Sequence, residues 1–318
     1  MRPSVRILIL NYNGRALLEK YLASFQAAVA KSVFSCALGV VDNKSQDDSV
    51  EWLQKNYPDV FIYRPTQNRV LCSYNDVAGQ LEEDILIFMN NDIGVESNFI
   101  DPLVKPFLND NDVFMVTPRC LSVRDKAYEG NKTRAAIRHG MFWSSCIYPG
   151  HEKDINNPGL TFQGGFGAFD RKKFLALDGY DDLYLPGRLE DADICFRAYK
   201  RGWKSLYEPS SIVYHEGGTS FHRSFGVRGT LAINWRNTFL FMWKNLSDWI
   251  NFFQTPLWLP IWLVRSAVRR EPEFIIGFWQ ALKFFGAARR KRKTLGRNFF
   301  VKALSEREIF RRVSSKAI

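Results

Sequence analysis

Along the first two thirds of the chain, apolar and polar positions follow two rhythms. Residues 5–10, 37–41, 60–63, 85–89 and 113–116 are short runs rich in β-branched and aromatic side chains, with the length and composition of strands. Residues 17–30, 49–57, 73–80 and 98–108 lie between them and have helix length. Strands alternating with helices predict βαβ units, a mainly parallel sheet and an α/β fold. In such sheets ligands sit beyond the strand C-termini, so the polar residues that follow each strand are the first place to look for chemistry.

Those residues are informative. The first strand runs into Asn11-Tyr12-Asn13-Gly14, the second into Asp42-Asn43-Lys44-Ser45, and the fourth into Asn90-Asn91-Asp92. Asp42, with Asn43, Ser45, Asp47 and Ser49, forms a hydrogen-bonding loop suited to a base and ribose. The same loop also serves as a turn and helix N-cap through Asp48 or Ser49. Asp92 at the mouth of a parallel sheet suits a divalent cation, and hard oxygen ligands favour Mg²⁺ or Mn²⁺. Its other reading is a solvated turn.

Residues 120–160 are polar and irregular and read only as a long loop or hairpin. A Gly-rich strand is predicted over 164–169, then a short helix from Arg171 and a turn at Asp178-Gly179-Tyr180-Asp181. A helix is predicted from near Glu190 to Arg201, with Ile194, Ala198 and Tyr199 on its core face. Carboxylates at its start, Glu190, Asp191 and Asp193, suit the helix dipole whatever else they do. Asp191 follows Pro186-Gly187, and one carboxylate is the natural base for taking a proton from a hydroxyl. A last strand over 211–214 ends at His215, which meets the glycine-containing stretch Glu216-Gly217-Gly218-Thr219-Ser220.

Charge divides the chain. Its formal charge is +11, yet residues 1–220 hold 25 Lys/Arg against 28 Asp/Glu, and residues 221–318 hold 19 against 5. The last third also carries six of the nine Trp and half of the 26 Phe. This mixture suits an anionic membrane surface rather than the uniform basic coat of a nucleic-acid binder. Five cysteines without metal-site spacing indicate neither a disulfide frame nor a zinc site, and point to a reducing cytoplasm. No apolar run reaches the eighteen or so residues that span a bilayer, and the first run is too short for a signal peptide.

Within the tail, Trp235, Phe239, Met242, Leu246, Trp249 and Phe253 recur at helical spacing, and Pro256 and Pro260 are expected to break the pattern. Phe274, Phe278, Leu282 and Phe285 form a second stripe, followed by Arg289-Arg290-Lys291-Arg292-Lys293. Aromatic amphipathic helices beside a basic cluster predict a peripheral or monotopic anchor at the cytoplasmic face of the inner membrane. The alternatives are packing on the catalytic domain or a homodimer seam.

Taken in order, RILILNYNG, VVDNKSQDDS, QNRVLCSYN, ILIFMNND, GGFGAFDRKKFLALDGYDD, EDADICFRAYKRGW and HEGGTS resemble glycosyltransferase family 2 of the GT-A type, and within it bacterial rhamnosyltransferase-like enzymes of polysaccharide assembly. The resemblance implies a GT-A, Rossmann-like nucleotide-sugar-binding catalytic domain over residues 1–220, with a helical membrane-association region over 221–318. It implies an inverting transfer from a nucleotide-sugar donor to a glycan or polyprenyl-linked acceptor. Donor binding then falls to Asn11, Asn13, Asp42, Asn43, Asn68, Asn75, Asn91, Gly164 and Gly165. Asp92 takes the metal-ligand position of the family's DxD motif, and His215, in a pattern completed by Gly218 and Ser220, reaches back to the Mn²⁺ or Mg²⁺. Asp191 resembles the catalytic base, beside Glu190. Three positions depart from the family pattern. Arg69 follows Asn68 where Gly is usual, Asp182 stands where Glu is frequent, and residues 185–189 lack the usual aromatic run. The competing readings are a catalytically silent assembly subunit of the same fold and, less favoured, a nucleic-acid-binding protein suggested by the basic, aromatic tail.

Overall fold

Apolar side chains fill both faces of β1 (Ser4–Asn11), because helices cover the sheet on each side. Val5, Ile7 and Ile9 pack with Leu18, Leu22 and Phe25 of α1 (Arg15–Lys31), while Leu8 points into the opposite layer. The computed structural model describes residues 2–217, 219–301 and 304–314. Gly218, from the last sequence motif, lies outside the described residues, as do the side chains of Ser220, Trp249 and Phe253.

The remaining strands of the front region are β2 (Ser35–Asp42), β3 (Phe61–Tyr63), β4 (Ile85–Asn90), β5 (Ile93–Val95), β6 (Val113–Ser122), β7 (Tyr128–Gly130), β8 (Arg134–Arg138), β9 (Met141–Ser145), β10 (Gly159–Leu160), β11 (Gly167–Asp170) and β12 (Lys204–His215). Helices α2 (Ser49–Asn56), α3 (Ser73–Ala78), α4 (Ile100–Asn109), α5 (His151–Asp154), α6 (Arg171–Ala176) and α7 (Glu190–Lys200) connect them. The main sheet runs β10-β12-β6-β11-β4-β1-β2-β3. Its long pairings, β3 with β2, β2 with β1, β1 with β4 and β6 with β12, are parallel. β11 lies antiparallel between β4 and β6. The expected α/β, mainly parallel GT-A architecture is therefore the observed one, with short antiparallel strands added. Residues 120–160, unreadable in sequence, form β7, the β8–β9 hairpin, α5 and β10. The strand predicted from Gly164 begins at Gly167, and the last strand starts as early as Lys204.

Among the described residues, the helices that follow are α8 (Thr219–Asn245), interrupted at Gly226, α9 (Trp249–Arg269), α10 (Glu273–Lys283), α11 (Phe285–Val301), interrupted at Gly296, and α12 (Glu306–Ser314). Here the tail differs from expectation. Pro256 and Pro260 lie inside α9 rather than ending it, both at exposed positions. The Trp235–Phe239–Met242 stripe faces inward. Trp235 meets Phe274 at 4.9 Å, Phe239 meets Phe278 at 5.1 Å, and Met242 is buried. On the adjoining face of α8, Phe241 contacts Phe196 of α7 at 5.4 Å. These rings join the core that lines one side of the sheet. The apolar face turned outward is another one: Leu257, Ile261, Val264 and Val268 of α9, each between 54% and 77% exposed, with Trp279 of α10 at 62%.

Candidate functional site

Parallel registers bring the strand ends level. Asn11 is paired with Asp42, and Leu10 with Asn90, so the polar residues that follow β1, β2 and β4 share one edge. Asn11 is fully buried and accepts from the Asn91 amide at 2.7 Å while donating to Ser45 Oγ at 3.2 Å. The packing is tight enough to require Gly14, since a Cβ there would sit 2.0 Å from Asn91 Nδ2. Asn13 accepts from the Gln46 N–H at 2.6 Å. Asn43 accepts from Ser73 Oγ at 2.6 Å. Asp42 differs from these neighbours. Its side chain is 1% exposed, neither oxygen accepts a hydrogen bond, and the nearest cation, Arg64, stands 3.9 Å away. A buried acceptor without a donor is costly, and donors from a base or ribose would satisfy it.

At the same edge, β5 leads back along β12 and brings His215 to Asp92. His215 Nε2 is 3.4 Å from Asp92 Oδ2, and Nδ1 is 2.8 Å from Glu129 Oε2 on β7. The Glu216 N–H donates to the Asp92 carbonyl at 3.0 Å and holds the two segments together. Hydrogen bonding to Asp92, aided by Glu129, raises the imidazole to a pKa of about 9 against the opposing effect of burial. Asp92 Oδ1 is buried and accepts nothing. An orphaned carboxylate oxygen beside an imidazole nitrogen fits a divalent cation held by Asp92 and His215. Ligand atoms of Cys120, Glu129 and His215 also lie within 4.8 Å of one another. Burial pushes the Cys120 thiol up, which keeps it protonated and a poor ligand for a hard cation.

Antiparallel pairing of β11 with β4 sets the start of β11 beside the end of β4, so Gly164 and Gly165 reach this edge too. They carry α7 with them. A Cβ on Gly164 would lie 2.8 Å from the Asp191 carbonyl, and one on Gly165 would lie 3.9 Å from Asp191 Oδ2. Close approach of helix to loop explains Gly164, whereas the distance at Gly165 is ordinary contact. Burial raises the Asp191 carboxyl above the usual carboxylate range, partly offset by the Ala192 N–H that Asp191 Oδ1 accepts at 2.8 Å. Burial and the Asp191 charge push Glu190 up to about 8, and its Oε2 accepts no hydrogen bond. Asp193 behaves oppositely. It accepts from Tyr184, Arg197, Lys244 and Asn245, and although burial opposes ionisation the Lys244 and Arg197 cations hold it below the ordinary range.

Much of this support comes from α8. Lys244, 2% exposed, bridges Asp193 and Asp181. Asn237 is fully buried and its amide donates to the carbonyls of Tyr184, Gly187 and Arg188 at 2.7–2.9 Å, while Arg236 donates to Leu185 at 2.6 Å. The loop so held contains Arg188 and Leu189 at φ 77° and 68°, a left-handed pair of non-glycine residues directly before Glu190. Sequence reasoning missed Arg236, Asn237, Lys244 and Asn245. Polar pairs that interrupt an aromatic stripe were the available signal.

Not every expected donor residue opens onto the edge. Asn75 exchanges both its amide bonds with the Tyr180 backbone, at 2.8 and 2.9 Å, and so pins the 178–181 turn. Asn68 accepts from the Val70 N–H within its own turn. Two departures from the family pattern meet, because Arg69 pairs with Asp182 at 3.2 Å. The tail's basic cluster is split. Lys291 pairs with Asp181 and Asp182, and Arg292 donates to carbonyls at the end of α8, while Arg289, Arg290 and Lys293 stay exposed.

Known proteins resemble this chain in sequence and fold. Residues 6–177 match the family described as glycosyl transferase family 2. An N-acetylglucosaminyl-diphospho-decaprenol L-rhamnosyltransferase of Mycobacterium tuberculosis is 24% identical over 273 residues, covering 78% of this chain and 87% of that protein. Among solved structures, GalNAc-T7 with UDP, GalNAc and Mn²⁺ matches with a TM-score of 0.58 at 19% identity, over 78% of this chain, which spans about half (49%) of that protein. The mannosyltransferase PcManGT from Pyrobaculum calidifontis, in complex with GDP-Man and Mn²⁺, matches with a TM-score of 0.52 at 13% identity, over 92% of this chain and 87% of that one. A matching span of more than half the chain, on a sheet edge built from the motifs of that family, establishes that this protein belongs to glycosyl transferase family 2.

Proposed function

We propose that the protein is an inverting glycosyltransferase that moves a sugar from a nucleotide-sugar donor to a hydroxyl of a glycan or polyprenyl-linked acceptor in cell-surface polysaccharide assembly. The observation that carries this reading is the convergence, on one sheet edge, of unsatisfied Asp42, the Asp92–His215 pair and the Gly164-Gly165 loop with Asp191 against it. The name of the mycobacterial relative supports a lipid-linked acceptor.

In this reading Asp42 takes donors from the nucleoside, and Asn11 with Asn91 fixes the floor beneath it. Asp92 and His215 would hold Mn²⁺ or Mg²⁺, which when bound offsets charge on the leaving diphosphate. Asp191 accepts the proton of the acceptor hydroxyl as that oxygen attacks the anomeric carbon. Glu190, neutral at pH 7 because its pKa is about 8, spares Asp191 the repulsion of a second buried charge.

The exposed stripe of α9, with Arg265 and Arg269 beside it, suits a peripheral seat on an anionic leaflet at the cytoplasmic face of the membrane. Among the described residues, no helix is long and apolar enough to cross a membrane. A thermal-shift panel of UDP-, dTDP- and GDP-sugars, with and without Mn²⁺, tests donor binding. One donor at 100 times its Kd should add about 2.7 kcal/mol of stability. Turnover of that donor should stop in EDTA, and stabilisation without turnover on any glycan or lipid acceptor would favour the silent subunit.

A further inference from the structure

His215 meets two carboxylates, one on each ring nitrogen. Glu129 Oε2 lies 2.8 Å from Nδ1, and Asp92 Oδ2 lies 3.4 Å from Nε2. Glu129 comes from β7, a three-residue strand paired antiparallel with β6, inside the segment that no motif covers. β12 runs beside β6 with His215 opposite Ser122, so the β6–β7 turn delivers Glu129 to the ring, with the Cys120 sulfur within 4.8 Å of the carboxylate as well. The contact is well formed: a hydrogen bond of ordinary length between partly buried groups, with Glu129 at 31% side-chain exposure and His215 at 23%.

The two nitrogens of a neutral imidazole are not equivalent, since one carries the hydrogen and the other a lone pair. A carboxylate only accepts, so Glu129 keeps a hydrogen on Nδ1. Without a metal the imidazolium donates its Nε2–H toward Asp92 as well; a divalent cation that displaces that one proton meets the Nε2 lone pair and the Asp92 carboxylate together. Metal-bound histidines commonly donate their second nitrogen to a carboxylate in this way, and the carboxylate fixes ring orientation and raises ligand basicity.

We propose that Glu129 is a positioning residue that locks His215 as the Nδ1–H tautomer, so that Nε2 and Asp92 converge on one divalent cation. This deepens the metal reading given above and rests on it. The residue acts through His215 and does not itself touch the ion or the donor.

Mn²⁺ binding by the full chain, measured by electron paramagnetic resonance of free Mn²⁺ in the presence of UDP or GDP, tests the assignment without any turnover. Glu129→Ala should weaken Mn²⁺ about 10- to 100-fold. Glu129→Gln keeps an acceptor for Nδ1–H and should lose several-fold less; it also serves if the alanine variant fails to fold. Nitrogen NMR of the protein loaded with diamagnetic Zn²⁺ should show Nε2 bound and Nδ1 protonated in the wild type, and a mixture in Glu129→Ala. Unchanged Mn²⁺ affinity and an unchanged tautomer in Glu129→Ala would overturn the proposal while leaving the metal site intact, provided Asp92→Ala and His215→Ala still abolish binding. Retention of Mn²⁺ by those two variants would sink the metal reading itself. A loss in Glu129→Ala as complete as in Asp92→Ala, with the tautomer unchanged, would make Glu129 a direct ligand and overturn the positioning role.

Discussion

Asp42 and Asp193 are both buried aspartates, one on the donor edge of the sheet and one on the helix that faces it, yet their surroundings are opposite. Asp193 accepts from Tyr184, Arg197, Lys244 and Asn245. Asp42 accepts from no group. Asp92 and Glu190 each keep one orphaned oxygen as well. A carboxylate saturated by protein donors has its role inside the fold, whereas one left short is held for a ligand or a proton. This distinction separates Asp193 from Glu190 among the three acidic residues at the start of α7, all of which suit the helix dipole. It assigns Asp193 to architecture and sets Glu190, with its orphaned Oε2, apart from that network.

The comparison can be broken by substitution. Asp191→Asn should lower transfer by about 10²–10⁴-fold while nucleotide binding persists, measured by single-turnover kinetics and calorimetry. Near-normal transfer would move the base elsewhere. Lys244→Met leaves Asp181 and Asp193 buried with less compensation and should cost about 3–5 kcal/mol in urea unfolding. Because both carboxyls are depressed in the folded state, their contribution is present above the ordinary carboxylate pKa and is lost as the pH falls below it. The deficit of Lys244→Met relative to wild type should therefore shrink in acid.

Glu190 gives the opposite sign. Its folded pKa of about 8 lies above the unfolded value, so its contribution is full in acid and is lost as the pH rises through 8. Glu190→Gln should accordingly be more stable than wild type at pH 9, on the order of a few kcal/mol, and indistinguishable from it at pH 4. With Asp191 also raised by burial, transfer by the wild type should climb as the pH rises above the ordinary carboxylate range and Asp191 gives up its proton. A flat profile would count against Asp191 as the base. Asn237→Ala should be the mildest, costing about 1–3 kcal/mol for the loop carbonyls it leaves unpaired, with kcat falling more than KM as the Arg188–Leu189 turn relaxes.

The front of the molecule was largely legible. Strand and helix signals for residues 5–116 lie within a few positions of the observed elements, because each buried strand is a local apolar run and its ligand-facing residues follow it directly in sequence. The tail was legible only in part. The Trp235 stripe was correctly helical as far as Met242, although the helix ends at Asn245 before Leu246 and a second one starts at Trp249; periodicity also marks an apolar face without naming what covers it. Phe274, Phe278 and the α7 core cover that stripe, and the outward face belongs to α9. Lys291 and Arg292 were grouped with the basic cluster because sequence places like charges side by side; the fold turns these two toward Asp181 and the end of α8.

By itself, then, the sequence determined the α/β alternation, the edge that carries the polar residues and the confinement of the net positive charge to the last third, since all three depend on short-range pattern and composition. Only the tertiary structure decided which of those polar residues are satisfied. Saturation of Asp193, the clamp by Asn237 and the approach of Glu129 to His215 join positions about fifty to ninety residues apart. Such pairings follow from how strands stack and helices return across them, and no local spacing records that geometry.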